Sequence, residues 1–157
     1  MPDLVTHVGA AYLLNRPWHW RRTRAAFLLG TVLPDAVTRP FYILFPQSYW
    51  FVGAWHTPVA TLLFCLWMTA WFHPAERRTV FAALSLGAAL HYLLDLFQRH
   101  TLHGYFWFFP FSWKTTTWGL FWPEDAVRFA PLWLVLVVAA EGLVALRTKH
   151  RAAKLHA

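Results

Sequence analysis

Charge is scarce in this chain. Asp, Glu, Lys and Arg make up only 13% of its 157 residues, against roughly 25% in an ordinary soluble domain. That scarcity excludes an intrinsically disordered segment, a nucleic-acid-binding tail and a typical soluble enzyme. Acidic residues are fewest, seven against fourteen basic ones. There is one cysteine, Cys65, so no internal disulfide can form, and its place inside an apolar run predicts a buried, inert thiol. The N-terminal MPDLVTH lacks a basic leader and carries Asp3, which argues against a cleavable signal peptide. No internal repeat or low-complexity segment is present.

Apolar and aromatic residues fill the space that charge leaves. The chain is 58% hydrophobic and 19% aromatic, with eleven Trp and fourteen Phe. Such aromatics gather at membrane–water interfaces. Mean hydropathy is a modest +0.37, partly because the scale gives Trp and Tyr little credit. The composition predicts an all-α fold, a polytopic membrane helical bundle forming one integral domain over residues 1–157. About four membrane-embedded helices are expected, with short interfacial helices. The expected segments are a short helix over Leu4–Leu14 capped by Asp3, and a second short stretch, Ala25–Leu33, closed by Pro34. An aromatic segment follows over Phe41–Ala54, interfacial or half-buried, then a helix over Pro58–Phe72 with Thr57 as N-cap and Pro58 in the first turn. Further helices are expected over Val80–Phe97 and Phe129–Leu146, joined by a long aromatic connection over Gln98–Arg128. The first two segments fall short of the roughly 20 residues that span a bilayer.

The net charge of +7 would suggest nucleic acid on a soluble protein. Here the basic residues form short clusters between apolar runs, so no nucleic-acid partner is expected. Arg16, Arg21, Arg22 and Arg24, then Arg77 and Arg78, then Arg147, Lys149, Arg151 and Lys154 of a tail over 147–157 fall on one side of an alternating topology. The positive-inside rule makes that side cytoplasmic.

Ionisable groups inside apolar segments are costly and are functional candidates by default. Five stand out: His7, Asp35, His56, His91 and Asp95. His91 and Asp95 are four apart, on one helix face. An imidazole and a carboxylate so placed can share a metal ion; they can equally be a polar pair that ties helices together. Alone, Asp35 reads as a turn or capping residue, His56 as an interfacial histidine and His7 as a satisfied core histidine. The orientation set by Lys and Arg alone places all five at the outer membrane face. Three histidines and two carboxylates at one depth have the composition of a metal site.

The same residues carry a resemblance. THVGAAYLL at 6–14, GTVLPD at 30–35, WHTP at 55–58, LHYLLD at 90–95 and FFPFSWK at 108–114 resemble the YdjM-like family of inner-membrane metal-dependent hydrolases, some of them LexA-regulated. The resemblance covers roughly residues 4–125 and implies His7, Asp35, His56, His91 and Asp95 as metal ligands. Their order is also similar to that of zinc-dependent phospholipase C and the related single-strand-specific zinc nucleases, which implies that Asp95 could bridge a second ion held partly by His7. Two features depart from the family pattern. Asp35 is followed by Ala36 and Val37 where PDxD is frequent, and of an HRGxTHS segment only His56 remains. His100 and His103 could supply further ligands, or be solvated loop histidines.

The expected function is hydrolysis by metal-activated water of a phosphoester in a lipid or lipid-linked amphiphile, at the outer face of a bacterial inner membrane. The expected cofactor is one or two divalent ions of the zinc type; membrane lipids and a phosphate-containing substrate are the expected partners. Asp35, Asp95 and Arg99 are the candidate catalytic residues. Arg99, four positions past Asp95, could hold a phosphate or pair with Asp95. Arg39, Lys114 and Arg128 could hold phosphate or anchor lipid headgroups, and Thr115–Thr117 could donate hydrogen bonds. The alternatives are a non-enzymatic metal-binding or transport protein, and an assembly protein whose polar residues lock helices together. Apolar inner halves of the helices, apart from Glu141, disfavour an ion path.

Overall fold

The structure is a computed structural model that describes residues 4–16, 23–99 and 104–155. It is all-helical; among the described residues the only extended pairing is two isolated bridges, Gln98 with Phe121 and Tyr105 with Thr116. Six α-helices follow in order: α1 (Leu4–Asn15), α2 (Arg24–Leu44), α3 (Tyr49–Gly53), α4 (Pro58–Thr69), α5 (Pro74–Phe97) and α6 (Pro123–Leu155). Among the described residues two segments are long and apolar enough to cross a membrane: α5, and Val127–His150 within α6.

Three boundaries differ from the sequence-based expectation. Pro34 does not close α2, which continues through Pro34 and Pro40 to Leu44. A helical proline removes one N–H and crowds the carbonyl four residues back. Here the close packing of α2 against α5, at Gly30 and Gly87, outweighs that cost. Thr31 and Thr38 donate to the carbonyls of Phe27 and Pro34, and Asp35 pairs with Arg39 one turn on. Helix α5 begins at Pro74 rather than Val80, so Arg77 and Arg78 lie in its first turns. Arg77 donates to the carbonyls of Phe72 and Ala70 at 3.0 Å each, satisfying the open end of α4 and tightening the turn between the two helices. Helix α6 runs on through the basic tail to Leu155. The α4 start matches expectation: Thr57 Oγ1 accepts from the Ala60 N–H at 3.3 Å and Pro58 opens the helix.

The centre of the fold is the crossing of α2 and α5. Gly30 faces the Leu84 backbone, and Gly87 faces the Phe27 carbonyl and the Thr31 N–H; a Cβ at either glycine would overlap main-chain atoms. Only glycine lets two helix backbones approach this closely. Leu33, Cys65, Val80, Leu84 and Ala88 form the adjoining apolar core, with Cys65 a free, buried thiol as expected. On the other side α1 meets α6, where Gly9 lies against Trp133 and Glu141 pairs with Tyr12 and Arg16.

Candidate metal centre

The close backbone approach of α2 and α5 sets the site. It brings the Thr31 carbonyl of α2 to 2.8 Å from His91 Nδ1 of α5. A carbonyl only accepts, so Nδ1 carries the hydrogen and Nε2 of the neutral ring presents a lone pair on the opposite side. His56 is fixed similarly. Thr38 Oγ1 donates to the Pro34 carbonyl at 2.8 Å and therefore accepts from His56 Nδ1 at 3.2 Å. That leaves His56 Nε2 as a second lone-pair donor. Both nitrogens point at Asp95 Oδ2, at 2.9 Å from His56 and 3.2 Å from His91, and lie 3.4 Å from each other.

His7 and Asp35 complete the cluster. The His7 ring stacks on His91 with centroids 4.2 Å apart, and its Nε2 is 3.5 Å from Asp95 Oδ1. Asp35 Oδ1 is 4.0 Å from His56 Nδ1 and has no hydrogen-bond donor among the described residues, while its Oδ2 accepts from Arg39 at 2.7 Å. All five side chains belong to residues at most 2% exposed. Four elements supply them: α1 brings His7, α2 brings Asp35, the turn before α4 brings His56, and α5 brings His91 and Asp95. Tyr105, from the segment after α5, stacks on His56 at 5.2 Å. Burial, then the Asp95 charge, pushes its hydroxyl well above the ordinary tyrosine range, so it stays neutral.

Three inward acceptors at these distances repel one another unless a proton or a cation lies among them. The donor set suits a metal ion. Imidazole nitrogen and carboxylate oxygen are zinc-type ligands, and a tetrahedral ion with bonds of about 2.0–2.2 Å has donor–donor edges of about 3.3–3.6 Å. The observed edges run from 2.9 to 3.4 Å. Two groups could hold an ion: His56, His91 and Asp95, and His7, Asp35 and His91. They share His91, whose single inward nitrogen serves one ion only. The first group is the tighter, and its two histidines have partners that orient them, the usual arrangement around bound metal.

The structure therefore gathers His7, Asp35, His56, His91 and Asp95, the expected five. It does not gather Arg99. Helix α5 ends at Phe97, with Gln98 extended, so Arg99 does not share the helix face of Asp95. Instead Arg99 Nε donates to the Gly119 carbonyl at 2.7 Å and its guanidinium lies 5.1 Å from the Trp122 ring centre. Lys114 and Arg128 are exposed, and Arg128 pairs with Asp125. His100 and His103 lie outside the described residues. Asp35 is no turn residue but a buried group in the middle of α2. Four contributors were missed: Thr31, Thr38, Arg39 as the partner of Asp35, and Tyr105. The first two had a legible signal, since Thr31, Asp35 and Thr38 are spaced four and three apart on one helix face. Tyr105 had none.

No family model, curated protein or solved structure matches the chain.

Proposed function

We propose that this chain is a metal-dependent hydrolase of the bacterial inner membrane, acting on the phosphoester of a lipid or lipid-linked substrate. One observation carries the reading: the His56 and His91 Nε2 lone pairs and Asp95 Oδ2 converge within 3.4 Å, with both ring tautomers set from behind. His56, His91 and Asp95, with His7 and Asp35 alongside, would hold a divalent ion of the zinc type, and such an ion would supply a nucleophile by lowering the pKa of a water to about 7. In the net reaction the water oxygen bonds to phosphorus, the ester P–O bond breaks, and a proton ends on the departing alcohol. Asp35 Oδ1, which lacks a donor among the described residues, can hold that proton in transit. Arg39 supplies positive charge beside it.

The membrane placement is part of the same reading. Two long apolar helices and the exposed Leu62, Leu63, Leu66 and Trp67 of α4 support three of the about four membrane-embedded segments in this reading. The basic clusters put the C-terminus in the cytoplasm and the cluster at the opposite face.

The test is metal content by mass spectrometry on protein purified in detergent without chelators, beside His91→Ala and Asp95→Ala. The expected result is near one zinc or manganese per chain, falling below about a tenth in both variants, with phosphoester hydrolysis lost in parallel. A wild type free of metal would overturn this reading in favour of the helix-locking one, in which the five residues only tie helices together.

A further inference from the structure

A second set of charged groups meets where α1 ends and α2 begins, beside α6. The guanidiniums of Arg16 and Arg24 both lie over the Tyr12 ring, at 5.8 and 4.2 Å from its centre. One carboxylate reaches this group: Glu141 of α6 accepts from the Tyr12 hydroxyl and from Arg16 Nη1. Arg24 has no carboxylate partner among the described residues. Two positive charges therefore share one ring and one negative charge. Three of their nitrogens, Arg16 Nε, Arg24 Nε and Arg24 Nη2, are shut off from solvent with no hydrogen-bond acceptor. A charged donor buried without an acceptor is costly, and two guanidiniums over one ring repel each other. His7 and Arg16 are nine positions apart along α1, and Arg24 and Asp35 are eleven apart along α2. At about 1.5 Å per residue, both helices put this group roughly 15 Å from the metal-candidate cluster.

We infer that Arg16 and Arg24 bind one phosphate group beside Tyr12, at a site separate from the metal-candidate cluster. The charge in excess of Glu141 selects an anion. The donors select its shape: three nitrogens on two guanidiniums need several acceptor oxygens, which a tetrahedral phosphate offers and a planar carboxylate does not. A neutral ligand would leave the excess charge where it is. The other basic residues do not share this state. Arg77 spends its donors on the carbonyls of Phe72 and Ala70, Arg99 on that of Gly119, and Arg39 is paired with Asp35. The phosphate can belong to a lipid headgroup or be free in solution, since the recognising chemistry is the same. At this distance from the cluster it is not the substrate of the proposed hydrolase, and the inference stands without that reading.

The experiment follows the melting temperature of the full chain in detergent by tryptophan fluorescence, at constant ionic strength and with a chelator present so that no metal contributes. Inorganic phosphate, dioleoyl phosphatidylglycerol and dioleoylglycerol are titrated separately. A ligand of the folded state raises the melting temperature by mass action, which yields an apparent Kd. A phosphate-bearing ligand should raise it and dioleoylglycerol should not. Phosphatidylglycerol binding about tenfold or more tighter than inorganic phosphate would assign the group to a headgroup, and equal Kd values would assign it to the free anion; both uphold the site. Arg24→Gln should weaken binding about tenfold or more, and Arg24→Lys should recover part of the loss. Glu141→Gln should tighten binding, because it removes the competing negative charge, whereas a group that serves the fold alone would weaken it. Arg77→Gln, another basic position of the cytoplasmic set, should leave Kd within about twofold. Equal losses in Arg24→Gln and Arg77→Gln would reduce the effect to diffuse surface charge and overturn the site. Equal shifts with phosphatidylglycerol and dioleoylglycerol, with no response to inorganic phosphate, would overturn it too.

Discussion

Among the described residues α5 and α6 are the helices long and apolar enough to cross a membrane, and they are used in opposite ways. The more apolar of the two, α6, is nowhere buried along its apolar stretch, whereas 44% of the α5 stretch is buried. In a water-soluble fold the most apolar helix would be the most buried. A helix that is apolar all round and not covered by protein needs another apolar medium around it. Helix α5 has polar and small residues along one face: Ala83, Gly87, His91 and Asp95 recur at spacings of four, with Gly87 against α2 and the last two in the cluster. Hydropathy alone thus does not decide which helix is covered by protein; the small and polar residues along one face of α5 do.

Substituting equivalent residues in the two helices tests that division. The largest effect is expected for Gly87→Ala. Its methyl would overlap the Phe27 carbonyl, at a cost of about 3 kcal/mol or more, read as a large fall in the melting temperature in detergent. Next comes Val138→Lys, at an exposed position near the middle of α6. A lysine there costs about 2.5–3.5 kcal/mol of insertion, measurable as reduced membrane integration in a glycosylation-mapping assay. If integration were unchanged, α6 would not be a spanning helix. Thr38→Val keeps the shape but removes the acceptor for His56 Nδ1. Metal affinity should fall about 10–100-fold in competition with a chromophoric chelator, with the fold retained. The smallest effect is expected for Gly142→Ala. Nothing lies within 4 Å of a Cβ there, so the change should be neutral or stabilising by less than about 1 kcal/mol. A Gly142→Ala loss as large as that of Gly87→Ala would show that α6 packs against a partner, and the contrast between the helices would fail.

Much of the site was legible because ionisable residues in apolar runs are few and conspicuous. Each of the five lies where burial needs a reason, and the Lys and Arg distribution placed them at one level. Less of α2 was legible. A proline reads locally as a helix stop, and what carries α2 past Pro34 includes its packing against α5. Arg99 was misplaced because periodicity cannot show that α5 ends two residues before it. The positions of Arg77 and Arg78 were displaced for a related reason: they read as a loop cluster, and only contact with the end of α4 reveals a helix start.

The sequence by itself determined the helical class, the apolar spans and the identity of the buried ionisable residues, because these depend on composition and on spacing along a single segment. The tertiary structure alone decided which ring nitrogens face inward and which arginine stands beside the cluster. Those depend on how closely two backbones approach. The approach is set where Gly30 and Gly87 let the Thr31 carbonyl reach His91 across 60 residues of chain.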